Sequence, residues 1–265
     1  MLKATVLLCA ITALIFLLDT LAYSLRLVVY RNQQYNLTAS TYNMISLMAK
    51  TVIVFQMPLL GVLLDVRIGS GQSPMPDFRL ILAWAAVGVG FAILVLPWFI
   101  PVFTRVVNLI AATGSYWGAA KSILGRGINA TEVLSRRSAL PDKKDWEALW
   151  SQRGVLLLHS MVTAVYAVGL LSAYYAAFLY PSHRLTLAGF SGVINGFATI
   201  VMTLILEPRI AMTTDRALKG EADYSHLKGM VMALTVSKLG GVLAAQALLV
   251  PGAYLILAVF KGLVY

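Results

Sequence analysis

Leu18-Asp19-Thr20-Leu21-Ala22-Tyr23-Ser24-Leu25-Arg26-Leu27-Val28-Val29-Tyr30-Arg31 is the stretch on which the fold turns. It lies inside the first long apolar run of the chain, yet it carries an acid at Asp19 and a base at Arg26, with Thr20, Tyr23 and Ser24 between them. On a continuous helix Asp19, Tyr23 and Arg26 fall four and then three residues apart and share one face. The rest of the segment is Leu, Ile, Val, Phe and Ala, which suits lipid or neighbouring helices. A charge near the middle of a membrane span costs roughly 2.5–3.5 kcal/mol on insertion scales. The charged face is therefore expected to turn inward, where the rest of the chain must supply its partners.

Composition supports a membrane solvent. Of 265 residues, 59% are hydrophobic and 12% charged, and the mean hydropathy is +0.80. These values exclude an ordinary soluble domain. Apolar runs of roughly 20 residues recur, each enough to cross a bilayer core. The lone Cys9 allows no intrachain disulfide and no Cys-based metal site. A net charge of +10 reads as cytoplasmic loops beside anionic lipid rather than as a nucleic-acid surface. The N-terminal run is too long for a signal-peptide core and no Ala-x-Ala-like site follows it. Leu8 before Cys9 also differs from a lipoprotein cleavage site, so the run reads as a transmembrane helix.

The pattern predicts an all-α polytopic integral membrane protein, with about six transmembrane helices around a polar, basic central cavity. A single domain covers residues 1–265, with spans near 5–29, 38–64, 78–100, 155–180, 185–206 and 230–260. Residues 102–153 read as a basic cytoplasmic loop, holding an extension of the third helix or an interfacial helix. In the second span Asn43, Ser46 and Lys50 share a face, followed by Gln56 and the kinking Pro58. In the fifth, Ser191, Asn195, Thr199, Thr203 and Glu207 recur every fourth residue as one polar stripe. That span also contains Gly192-x-x-x-Gly196, a close-packing signal in lipid. Bases crowd the loops after spans one, three and five, from Arg31 through Arg105–Arg153 to Arg209–Lys228. They are sparse on the other side, which puts the basic loops in the cytoplasm and both termini outside.

Asp19, Arg26, Lys50 and Lys238 fall within spans, and Asp65 and Glu207 at span ends. A bland account has Asp19 paired with a base, the others snorkelling to headgroups, and the fifth-span stripe gluing helices together. His159 reads as hydrogen-bonded or interfacial rather than functional. Yet one Asp cannot neutralise Arg26, Lys50 and Lys238. The surplus base points to a cavity for an anionic headgroup, and phosphate or pyrophosphate suits Arg as a bidentate ligand and Lys as a point charge. A lipid tail could stay in the bilayer through a lateral opening. There is no P-loop, His-Glu-x-x-His, Gly-x-Ser-x-Gly or paired-acid cluster, and the three His are scattered. Neither an enzyme, a cofactor nor a metal is therefore expected.

Leu18 to Arg26 closely resembles the opening signature of the Amj family, the lipid II flippases described as an alternate to MurJ. The resemblance continues at Phe55-Gln56-Met57-Pro58-Leu59-Leu60-Gly61, at Glu207-Pro208-Arg209 with Asp215 and Gly220, and at Ser237-Lys238-Leu239-Gly240-Gly241 with Ala245-Gln246. It implies transport of undecaprenyl-pyrophosphate-linked peptidoglycan precursor from the inner to the outer leaflet of the bacterial plasma membrane. Under that reading Arg26, Lys50 and Lys238, with Tyr23 and Gln56, contact the headgroup. Asp19 holds Arg26, while Asp65 and Glu207 act at the gates. The expected partners are lipid II, or a related polyprenyl-linked glycan, and anionic membrane lipid. A homodimer enclosing the cavity, with Gly192-x-x-x-Gly196 at its interface, fits the small number of spans. A flippase for another polyprenyl-linked glycan, a polyprenyl-phosphate enzyme and a non-transporting scaffold are the alternatives.

Overall fold

The computed structural model describes residues 2–126 and 141–264; the loop bases Arg136 and Arg137 lie outside them. Every regular element among the described residues is helical. They are α1 (Leu2–Ala22), α2 (Leu25–Asn32), α3 (Tyr35–Ser70), α4 (Met75–Thr113), α5 (Tyr116–Arg126), α6 (Lys143–Ser151), α7 (Arg153–Leu179), α8 (Arg184–Val201), α9 (Glu207–Leu218) and α10 (Tyr224–Val264). A 3-10 turn at Pro181–His183 joins α7 to α8, and a π-helical turn at Met202–Leu206 joins α8 to α9. Six segments are long and apolar enough to cross a membrane: Lys3–Asn32, Tyr35–Ser70, Met75–Thr113, Arg153–Leu179, Pro181–Leu218 and Tyr224–Val264. At about 1.5 Å per residue, the longest helices exceed a hydrocarbon core of roughly 30 Å and project beyond it.

The first span is not one uninterrupted helix. Tyr23 and Ser24 form a tight turn, with Tyr23 N–H donating to the Thr20 carbonyl (3.2 Å) and Ser24 N–H to that of Leu21 (3.0 Å). The Ser24 hydroxyl also donates to Leu21 O (2.6 Å). Such local bonds offer the backbone an alternative to the regular ladder. The break turns Arg26 away from Asp19, so the common face expected from their spacing does not form.

The spans group in two halves. The α1–α2 segment packs along α4 and α3, while α7 packs along both α10 and α8. Close contacts need glycine at two crossings: a Cβ on Gly88 would strike the Ala13 carbonyl, and one on Gly241 would lie 2.5 Å from the Ser160 carbonyl. One apolar core fills the end where α3 turns into α4 and α7 into α8, including Leu8, Leu60, Phe78, Leu82, Leu171 and Leu249. Arg67 pairs there with Asp77 (2.6 Å), and Thr5 donates to Asp77 (3.0 Å). A second core at the opposite end gathers Leu25, Val28, Ile100, Leu206, Ile210 and Met230. There α6 lies against α10, tied by a buried Asp145–Lys228 pair at 2.5 Å. The flanks of α3 and α8 share no extended packing. Between them the two halves stand apart.

Candidate functional site

The space between the halves is a cavity of about 350 Å³. Its walls are Ile15, Phe16 and Asp19 of α1 with Tyr23 of the following turn, Tyr42, Asn43, Ser46, Ala49, Lys50 and Ile53 of α3, His159, Val162, Thr163 and Tyr166 of α7, Ala198 and Thr199 of α8, Met202 and Thr203 of the π-turn, Glu207 at the start of α9 and Lys238 of α10. Asn43, Ser46 and Lys50 all line it, one turn apart on α3, and Thr199 and Thr203 face them from the second half. Asn43, Lys50 and Thr203 are exposed as well as lining, which marks the gap between α3 and α8 as the lateral mouth. Around that mouth the outer surface is Leu47, Phe55, Phe197 and Leu204, each at least 65% exposed, as lipid contact requires.

At the cavity two ion pairs cross from half to half. The Lys238 ammonium is bound by Asp19 Oδ2 and lies 4.9 Å from the centre of the Tyr23 ring. Arg26 Nη2 meets Glu207 Oε2 at 2.7 Å, its guanidinium is 4.5 Å from the Tyr42 ring centre, and the Tyr42 hydroxyl donates to Glu207 Oε1 at 2.9 Å. The expected Asp19–Arg26 pair is thus replaced by two long-range pairs, because the turn at Tyr23-Ser24 separates those side chains. In both pairs the base is the more deeply buried member: the Lys238 and Arg26 side chains are 4% and 8% exposed, Asp19 and Glu207 30% and 28%. Asp19, Glu207 and Lys238 line the cavity, and Arg26 stands behind Glu207.

Glu207 owes its position to the π-turn. Pro208 lacks the N–H that would bond one turn back, and the preceding residues widen into the looser helix. His159 is buried and belongs to the cavity wall, which its isolated position in the sequence did not indicate. Ser237 donates to the Leu234 carbonyl (3.1 Å), so His159 Nδ1–H donates to Ser237 Oγ (2.7 Å). Nε2 then accepts from the Tyr23 hydroxyl (3.0 Å). This chain fixes the ring on which Lys238 rests. Tyr42 and Tyr166 are further wall residues missed in the sequence, where they look like ordinary core aromatics.

Lys50 differs from the other bases. No hydrogen bond or ion pair engages it among the described residues, and it stands at the mouth. Counting Arg26 behind Glu207, the site has one base more than its acids, and Lys50 is that surplus. A second unmet group is Arg26 Nε, which is buried with no acceptor. These groups suit a diffuse anion such as phosphate, which accepts from ammonium and guanidinium donors alike.

The remaining sequence candidates lie elsewhere. Gln56 faces a smaller neighbouring pocket with Asn195, and Ser191 is buried away from both pockets. Asp65 sits at the opposite end, exposed and 3.4 Å from Arg184. Gly192 and Gly196 face outward with open space at their Cβ positions. No cluster of three or more His, Cys, Asp or Glu that could hold a metal occurs among the described residues.

The family model described as Amj, Alternate to MurJ, matches residues 11–260. A Bacillus subtilis (strain 168) protein named Lipid II flippase Amj is 28% identical over 253 residues, covering 92% of this chain and 91% of its own length. No solved structure matches the chain.

Proposed function

The chain belongs to the Amj family, and on that premise we propose that it carries lipid II from the inner to the outer leaflet of the bacterial plasma membrane. The observation that supports this reading is Lys50, an uncompensated ammonium in a polar cavity that opens sideways toward lipid. A pyrophosphate entering between α3 and α8 meets Lys50 first, while the undecaprenyl chain remains among Leu47, Phe55, Phe197 and Leu204. The cavity is too small for a complete glycopeptide head, at about 350 Å³. It accommodates the phosphates, with the remainder of the head extending from the mouth.

The two ion pairs supply the change of state. An anion beside Lys50 repels Asp19 and Glu207 and competes with them for Lys238 and Arg26. Arg26 offers it Nε, the donor its carboxylate partner leaves unused. Because each pair joins the first half of the bundle to the second, its release loosens the contact between halves. Binding and opening thereby share one free energy. Positive loops in the cytoplasm put the Arg26–Glu207 end of the site on the inner side.

The reading is tested in bacteria depleted of their own lipid II flippases, with growth and surface-accessible lipid II read together. The wild-type chain and Lys50→Arg restore both; Lys50→Ala restores neither at equal protein abundance. Normal rescue by Lys50→Ala would refute the assignment of Lys50, and failure of an abundant wild-type chain would refute the substrate.

A further inference from the structure

Next to the charged cavity lies a second pocket of about 40 Å³, whose polar lining residues are Thr12, Gln56, Tyr166 and Asn195. The two spaces share Phe16, Ile53 and Tyr166 as lining. Thr12 precedes Asp19 on α1, Gln56 follows Lys50 on α3, and Asn195 precedes Thr199 on α8. These steps all lead to the same end of the bundle, the end where Asp65 of α3 meets Arg184 of α8. At about 1.5 Å per residue, the six or seven positions from Lys50 to Gln56 and from Asp19 to Thr12 amount to roughly 10 Å. The second pocket is stacked on the first, nearer the outer side.

Helix gluing does not account for it. Gln56 Nε2 donates to Thr12 Oγ1 at 2.7 Å and links α3 to α1, but Asn195 Oδ1 is buried with no partner. An unmet buried acceptor is destabilising, a penalty that leucine would avoid. Its place is kept open by Gly169, where an added Cβ would come within 2.8 Å of Asn195 Oδ1. The volume admits a small cluster of waters, since one needs roughly 10–15 Å³. Beyond it, Leu8, Leu60, Leu82 and Leu171 close the way outward.

We infer that Thr12, Gln56 and Asn195 form a second, uncharged station on the translocation path, reached through a constriction of Phe16, Ile53 and Tyr166, which takes hydroxyl and amide groups of the head. The inference rests on the flippase reading. The charged cavity binds the phosphates, and the neutral station offers hydrogen bonds to the sugar portion as the outer apolar seal opens. In the sealed state water occupies it.

Two measurements on the full-length protein test this. In a Cys9→Ala background, Asn195→Cys is exposed in membrane vesicles to a charged methanethiosulfonate, with Leu249→Cys as a core control. Cys at 195 is expected to lose its free thiol while the control keeps its own; equal protection of both overturns the station. Thr12→Cys reads the same pocket from α1 should the 195 variant fail to accumulate. In reconstituted vesicles, Asn195→Leu is expected to retain lipid II as wild type does, yet to move it about tenfold more slowly, the loss of one hydrogen bond made in passage. Movement at the wild-type rate overturns the inference. A wild-type protein that moves no lipid II defeats the flippase reading instead, and the thiol result still reports on the pocket.

Discussion

Replacing Lys238 by Met should destabilise the protein, and replacing Asp19 by Asn in the same chain should then add much less than it costs alone. Lys238 is 4% exposed and bound to the Asp19 carboxylate, which is 30% exposed. Removing one member of a buried pair costs about 3–5 kcal/mol, because a charge is left behind without compensation. Asp19 fronts a polar cavity that can hydrate it, which places Lys238→Met near the lower limit, at about 3 kcal/mol. Asp19→Asn strands the more deeply buried Lys238 and should cost at least as much. The double variant leaves no stranded charge, so its loss should fall well below the sum of the singles, with a coupling of about 1–3 kcal/mol. Thermal unfolding of purified protein in one detergent at constant pH gives the four corners of the cycle. Strict additivity, or a Lys238→Met variant as stable as wild type, would refute the pairing and the two-half description that depends on it.

His159→Phe should preserve the bulk of the ring but leave the Tyr23 hydroxyl without its acceptor. The expected loss is about 1–3 kcal/mol in unfolding stability, with a larger fall in transport than in abundance. Gly241→Val places a side chain against the Ser160 carbonyl and should cost about 1–3 kcal/mol by overpacking, read as lowered accumulation in membranes. Where α6 docks on α10, burial alone would raise the Asp145 pKa, but the Lys228 hydrogen bond, the Asp142 N–H and the Lys228 charge outweigh it and hold the carboxyl below its usual value. A group with a depressed folded pKa stabilises fully above its unfolded value and loses that contribution as pH falls through the folded one. The docking of α6 should therefore hold at neutral pH and loosen below the ordinary carboxylate range. Fluorescence of Trp146 and Trp150 should report that loosening, and Asp145→Asn should remove its pH dependence.

Local periodicity carried much of the fold. The six spans are legible because about 20 apolar residues have few other uses. Asn43, Ser46 and Lys50 were legible as one face because a helix places such spacing on one side wherever it packs. The pairings were not legible. Lys238 and Asp19 are 219 residues apart, and Arg26 and Glu207 are 181 apart, so their meeting depends on how the halves assemble. The turn at Tyr23-Ser24 also escaped, because serine and tyrosine are tolerated inside helices and only the tertiary setting fixes the break. With it went the Asp19–Arg26 pair. His159 was undervalued for a similar reason: an isolated histidine reveals nothing of Tyr23 and Ser237, which arrive from other helices.

The most direct measurement of the central claim is transbilayer movement of lipid II in vesicles containing the purified protein, with head-labelled lipid II initially in one leaflet and the accessible fraction followed over time. The account predicts movement well above protein-free vesicles for the wild type and for Lys50→Arg, and near the protein-free rate for Lys50→Ala. Wild-type vesicles indistinguishable from protein-free ones would contradict it.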